Sequence, residues 1–503
     1  MVHPLLQAGS PGLSRAHGVV LVVLLALTAF LYVPWGGLEV LDVDYGDWIA
    51  AATPPTWGQV QRIFRYEPEV WEHLGYFAPL TAASFLVDVW LGGLTGALPE
   101  VHRAINLTLH LLNGLLVFAI LRGGGLPAAV SLLATAIFLV HPLQVSSLAW
   151  VPERKNLLAG AWFLTGVVSY LRFRQSRRWG WYGGAVAACG LALLSKPSAV
   201  VFGLCLVLTD WFLLDQRCTR GALLRSLPFC FMGLVWALVA AHTEPMAEGG
   251  SLGSRLLGIP CRFGFMLGKF VYPVHVSFLY PPLKSCADTF VGWLCWAGVL
   301  GAVAGLVVLH WRYPLWPMWW AVGWYVLQML PSSGLVPFGG MHELAVADHY
   351  LYLALLGPAV LVAHAAGAVR DKLPRPLGST GLLLAGGGMV VVLALLSLHY
   401  IRLWDSPDRL WKRVLAYHPH SLVAHMNYGT YLHERGRHEE ALVQYHEVLR
   451  MDPTAYRVYY NIGLILRERG DDRGAAQAFA KVLELCPGFQ PAQDRLSEIF
   501  RSP

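Results

Sequence analysis

Three carboxylates fall within six residues in LDVDYGDWIAA: Asp42, Asp44 and Asp47. Acids this close suit a general base that takes a hydroxyl proton, or a divalent-metal site. The same three would also serve as a solvated, helix-capping turn. Farther on comes His102-Arg103-x-x-Asn106-x-x-x-His110-x-x-Asn113. On a helix these polar groups recur every three or four residues and share one face. They read as part of a polar site or as hydrogen-bonding contacts between helices. A third group is Trp150-Val151-Pro152-Glu153-Arg154-Lys155-Asn156, joined by Lys196 in Ser195-Lys196-Pro197 and by Lys269 four residues before Pro273. A Lys at a helix boundary is a compact point charge suited to phosphate, or it snorkels to the membrane interface. His349, in Ala347-Asp348-His349-Tyr350-Leu351-Tyr352, completes the set.

Those residues need elements to hold them, and the composition says which kind. The chain is 56% hydrophobic and 14% charged, carries 20 Trp, and has a mean hydropathy of +0.50. Soluble domains hold about 25% charged residues, so a bilayer is the natural solvent here. About eleven apolar runs approach the roughly 20 residues that span a membrane, from 18–35 to 380–400. With the N-terminus cytoplasmic, Arg122, the 172–178 arginines, Arg217, Arg220, Arg225, Arg312, Arg370, Lys372 and Arg375 occupy inner loops, as the positive-inside rule requires. Segments 36–103, 142–155, 243–287 and 331–347 and the C-terminal region then face outward. Arg154 and Lys155 break the charge rule on that outer side, which an anionic ligand would explain. Phe77–Leu98, interrupted by Pro79, Asp88, Gly92 and Gly93, and 256–275 read as interfacial helices.

A net charge of +6 with no long Lys/Arg run gives nucleic-acid binding little support. Zinc spacing, a Walker loop, a nucleophile elbow and a Rossmann glycine set are all missing. Six of the eight cysteines lie in apolar or helical segments; Cys261 and Cys286 read as a pair or as two free thiols.

Beyond about residue 403 the charge rises and a period of 34 appears. Asn427 matches Asn461, Gly429 Gly463, Leu432 Leu466, Gly436 Gly470, Ala441 Ala475, Tyr445 Phe479, Leu449 Leu483 and Pro453 Pro487. That order is the tetratricopeptide signature. The fold class is therefore all-α: a polytopic transmembrane helix bundle over 1–403, followed by a short tetratricopeptide α-solenoid over 404–503. Full repeats fall near 421–454 and 455–488, with a half-repeat before them and a closing helix after.

Together, APLTAASF (78–85), HRAINLTLHLLN (102–113), AWVPERKNLL (149–158), LLSKPSAV (193–200), LGKFVYPVHVSFLYP (267–281), MLPSSGLVPFG (329–339), ADHYLYL (347–353) and SPDRLWKRVLAYHP (406–419) are familiar. The chain resembles bacterial relatives of the transmembrane and tetratricopeptide repeat-containing O-mannosyltransferases, in the C-type glycosyltransferase superfamily. The resemblance implies a bacterial inner-membrane enzyme with its repeats on the periplasmic side. It would move a mannose-like sugar from a polyprenyl-phosphate donor to a hydroxyl of a protein or glycan. Asp44, with Asp47 and Asp42 beside it, would be the base. Arg154, Lys155, Lys196, Lys269 and His349 would hold the donor phosphate, with His102, Asn106, His110 and Glu153 as further polar site residues. This chain departs from the family pattern in its displaced Asp pair, in Ser146 where Glu is common, and in His349 where Arg is common. The alternative reading is a non-catalytic scaffold that recruits envelope proteins through its repeats.

Overall fold

The computed structural model describes residues 14–33, 45–65, 67, 71, 77–215, 217–243, 251–274, 276–277, 279–280, 289–313, 315–336, 346–374 and 377–501. Among them the chain is helical, with no strand. It divides into two compact units near residue 402.

The first unit carries α1 (Arg15–Tyr32), α2 (Tyr45–Ala51), α3 (Trp57–Phe64), α4 (Pro79–Thr95), α5 (Leu98–Gly123), α6 (Ala128–Val140), α7 (Val145–Ala149) and α8 (Arg154–Ser176). There follow α9 (Trp179–Ser195), α10 (Phe202–Thr209), α11 (Arg220–Thr243), α12 (Leu252–Val271), α13 (Thr289–Arg312), α14 (Trp316–Met329), α15 (Leu356–Lys372) and α16 (Leu377–Ile401). Six segments among the described residues are long and apolar enough to cross a bilayer: Arg15–Tyr32, Leu98–Gly123, Pro197–Leu214, Arg220–Thr243, Phe290–Arg312 and Thr380–Asp405. A seventh is α6 with the helical segment Pro142–Ala149, bent by 51° between them. The expectation of about eleven spans is thus met by fewer long helices. Several of the remaining apolar runs form short ones, such as α14 and α15, of 14 and 17 residues.

The most apolar helices are among the least buried within the protein. Only 6% of the Phe290–Arg312 window is covered, and Phe290, Trp293, Leu294, Leu300 and Trp311 are exposed. Exposing such a surface to water would be costly, whereas hydrocarbon accepts it. Within the apolar interior a polar cluster is enclosed, with Asp88, His102, Asn106, His110, Asn113, Glu153 and Arg154 fully or almost fully buried. This is a multi-pass membrane protein, apolar toward lipid, with a polar cluster enclosed inside.

Helix α8 is the central strut. It packs on α5 and α9, and its Gly166 leaves room for the Phe202 ring, which would lie 2.7 Å from a Cβ there. In its last turn Arg174 pairs with Asp210, and it also donates to Asp215 at 2.8 Å. Arg225 and the Tyr170 hydroxyl meet the same Asp210 carboxylate at 2.7 and 2.6 Å. The buried Asp210 is therefore a structural anchor. With Arg154 opening α8, this knot and the first-turn charges lie about 30 Å apart, one hydrocarbon thickness.

The second unit is α17 (Pro407–Tyr417), α18 (Leu422–Glu434), α19 (His438–Met451), α20 (Tyr456–Glu468), α21 (Asp472–Leu485) and α22 (Gln490–Arg501). The repeat pattern has a direct steric cause. A Cβ on Gly429 would stand 2.5 Å from the Tyr445 ring, and one on Gly463 2.6 Å from the Phe479 ring. Each glycine lets the two helices of its repeat close on an aromatic side chain.

Candidate active site

The approach to α8 is built by prolines. Pro142 and Pro152 each open a single 3-10 turn, since proline presets φ and needs no donor. The second turn, 151–153, delivers Glu153, Arg154 and Lys155 to the start of α8. Two cations at a helix N-terminus oppose the helix dipole, so both need anionic partners.

Lys155 takes Glu153, with Nζ 2.9 Å from Oε1. Lys196 reaches the same place from the end of α9. It is extended because Pro197 follows, and its ammonium donates to Asn156 Oδ1. The Asn156 amide in turn donates to Glu153 Oε2 and to the His349 carbonyl, the latter at 3.2 Å. The His349 ring adds Nε2 at 3.8 Å from Glu153 Oε1, and lies edge-on to Trp150. Glu153 is therefore the hub of two lysines and a histidine, and it has no solvent exposure. Burial alone would raise its carboxyl. The facing His349, Lys155 and Lys196 outweigh that and hold it down at about 2. Burial acts the opposite way on Lys196, pushing it down to about 8 despite Glu153. With one carboxylate, two ammonium groups and a histidine that burial keeps neutral near pH 7, the cluster carries one net positive charge.

Behind this cluster Arg154 is fully enclosed. Its guanidinium donates to Asp88 Oδ1 at 2.5 Å, to Asn106 Oδ1 at 2.8 Å and to the His102 carbonyl at 3.1 Å, while lying 4.6 Å from the Phe85 ring centre. His102 Nδ1 bonds the other Asp88 oxygen. His110 is held by Tyr352 and by the Leu139 carbonyl, both at 3.0 Å, and Asn113 donates to Tyr352 and to the Leu157 carbonyl. The polar face of α5 thus has two duties: its first half braces Arg154, and its second half joins helices.

The turn 348–351 has chemistry on both sides. Opposite His349, the Asp348 carboxylate accepts from the Tyr280 and Tyr400 hydroxyls at 2.6 and 3.2 Å. Lys269 lies 5.0 Å from the Tyr280 ring centre and 5.2 Å from that of Phe265. Burial raises the Asp348 carboxyl to about 7, with the tyrosine hydroxyls and Lys269 acting against it.

Lys155, Lys196, His349 and Glu153 therefore converge; Arg154, His102 and Asn106 form the layer behind them; His110 is deeper; and Lys269 stands across the 348 turn. Asp47 lies on α2, whose Trp48 shares an apolar cluster with Val151 of the 151–153 turn. Asp42 and Asp44 lie outside the described residues. Among the described residues no three metal-ligand side chains converge at this site. Sequence reasoning missed Asp88, Asn156 and Asp348 as site members. The available signals were an acid inside an apolar helix and an Asn one place after the Arg-Lys pair.

The fold and site define a multi-pass helical membrane protein that presents a buried cationic cluster and carries tetratricopeptide repeats. The family described as dolichyl-phosphate-mannose-protein mannosyltransferase matches residues 93–243, and two tetratricopeptide families match 429–467 and 456–489. Human protein O-mannosyl-transferase TMTC1 is 24% identical over 75% of this chain and 48% of its own. Human TMTC4 is 25% identical over 73% and 57% respectively, and Drosophila melanogaster Tmtc1 is 32% identical over 27% and 16%. The Archaeoglobus fulgidus oligosaccharyltransferase, solved with a tethered acceptor peptide, superposes over 78% of this chain and 55% of its own, at 14% identity and a TM-score of 0.41. The chain is thus similar over about three quarters of its length to proteins named O-mannosyl-transferases, and it carries tetratricopeptide repeats. It spans about half the length of the curated relatives it matches.

Proposed function

We propose that this protein transfers a mannose-like sugar from a polyprenyl-phosphate donor to a protein or glycan hydroxyl at the outer membrane face. The observation that carries the reading is the convergence of Lys155 and Lys196 on Glu153, Asn156 and His349, with one net positive charge. A polyprenyl phosphosugar is a phosphodiester with one negative charge, so the charges match. The lysines neutralise the phosphate as the bond from its oxygen to the anomeric carbon breaks and the electron pair leaves with the polyprenyl phosphate. The acceptor oxygen bonds the anomeric carbon, and an aspartate takes its proton. Asp44 is the first choice for that base, with Asp47 second and Asp42 third. The packing of Trp48 of α2 against Val151 of the 151–153 turn supports this, since α2 directly follows Asp44 in the sequence. Arg154 acts by positioning: it holds the α8 N-terminus through Asp88. Lys269 approaches from the far side of the 348 turn as a further phosphate partner. Cys261, on the helix that bears Lys269, is disulfide-bonded, which favours an oxidising, outward compartment for this end of the protein. The repeats offer a concave surface for a protein acceptor.

The test is transfer from radiolabelled polyprenyl-phospho-mannose to a Ser/Thr peptide by the full chain in liposomes. Asp44→Asn should abolish transfer at normal expression, and Lys196→Met should raise the KM for donor. Full activity in all three Asp→Asn variants would refute the carboxylate mechanism. If the purified chain transfers no sugar and deletion of 404–503 alone removes its cellular role, the protein is the scaffold.

A further inference from the structure

In the repeat unit, His433 ends α18, His438 opens α19 after the turn at Gly436, and Glu468 ends α20 of the next repeat. Their three ligand atoms lie within 4.8 Å of one another. His433 Nε2 is 3.1 Å from Glu468 Oε2, and His438 Nε2 is 3.2 Å from the same oxygen. The imidazole rings stand 5.6 Å apart at 72°. Zinc holds such ligands at about 2.0–2.1 Å in a tetrahedron, which sets them about 3.3–3.4 Å from each other along each edge. Both His-to-Glu distances come within a few tenths of an ångström of that edge, with the histidine side chains only 13% and 23% exposed.

The repeat itself does not call for these residues. One period later, Arg467 and Asp472 stand where His433 and His438 do. Neighbouring arginines are committed elsewhere: Arg469 to Glu439 at 3.0 Å, Arg437 to Asp408 and Glu440, and Arg435 over the Tyr431 ring. The carboxylate is thus left to the two imidazoles.

We propose that His433, His438 and Glu468 form a binding site for a divalent transition ion of the zinc class, with water as fourth ligand. The ion clips the turn of one repeat to the end of the next repeat's first helix, fixing the angle between repeats. It is separate from the sugar-transfer reading, because its ligands are in the repeat unit alone.

The experiment uses the full chain in detergent, without a polyhistidine tag, stripped with chelator and titrated with zinc by calorimetry and with cobalt by visible absorption. The expected result is one saturable zinc per chain and a cobalt spectrum of tetrahedral nitrogen–oxygen type. His433→Gln, His438→Gln and Glu468→Gln should each weaken zinc by more than about tenfold, and the triple variant should lose it. His446→Gln, on the exposed face of α19, should change nothing. Absence of saturable binding overturns the proposal, and so does undiminished one-to-one binding by the triple variant.

Discussion

Replacing Arg154 by Met tests whether this residue positions the site or holds the donor. Arg154 and Asp88 have no solvent exposure, and the guanidinium makes three hydrogen bonds within the protein. Removing it leaves the Asp88 charge buried with His102 as its remaining partner. Breaking a buried pair from one side costs about 3–5 kcal/mol. That is roughly two to three and a half orders of magnitude in the folded-to-unfolded ratio. Asp88→Asn in the same chain removes the orphaned charge, and replacing both members of a buried pair is often close to neutral. The double variant should therefore unfold within about 1–2 kcal/mol of the parent, a recovery of about 2–3 kcal/mol over Arg154→Met alone. Denaturant unfolding of the four proteins of this cycle in detergent gives the stability, and donor transfer gives the function. Recovery of both in the double variant is the expected outcome. Recovery of stability without transfer would mean that Arg154 touches the donor, and the positioning argument would fail. An unchanged unfolding midpoint in the single variant would refute the energetic argument.

Burial holds Lys196 near 8, so transfer should fall as pH rises through about 8 and the ammonium loses its proton. Lys196→Arg should move that limb upward, because guanidinium stays charged; an unmoved limb in a pH–rate profile would remove Lys196 from the donor site. The Asp348 carboxyl is raised by burial to about 7, so its contribution to stability is full below about 4 and is lost as pH rises through about 7. Asp348→Asn should flatten the fall in thermal midpoint between about pH 4 and 7, and an identical fall in both proteins would refute this. Gly429→Ala drives a methyl into the Tyr445 ring and should cost the repeats about 1–3 kcal/mol, seen as easier proteolysis of that unit; resistance equal to the parent would refute the close-packing account.

What the sequence revealed follows from how local each constraint is. The repeats were legible because Gly429 must meet Tyr445, and Gly463 must meet Phe479, 16 residues apart within one hairpin. The polar face of α5 was legible because helical spacing aligns His102, Asn106 and His110 whatever they touch. The Asp88–Arg154 pair was not, because its members lie 66 residues apart and Asp88 resembled a mere break in an apolar run. Tyr280 and Asp348, 68 residues apart, were hidden for the same reason. The span count was less legible because several apolar runs fold into short helices, such as α14 and α15 of 14 and 17 residues.

The Asp88–Arg154 pair also dictates an order of manufacture. A chain made from its N-terminus produces the acid of α4 66 residues before its guanidinium partner. Until then His102, 14 residues on, is the partner available to Asp88. The Asp210 knot imposes a shorter wait, because Arg174 is already made and Arg225 follows within 15 residues. The α10–α11 contact can therefore close soon after α11 is made, while the α4–α5 pair gains its full set of partners only with α8. A chain interrupted between 95 and 150 lacks the guanidinium that completes the environment of Asp88.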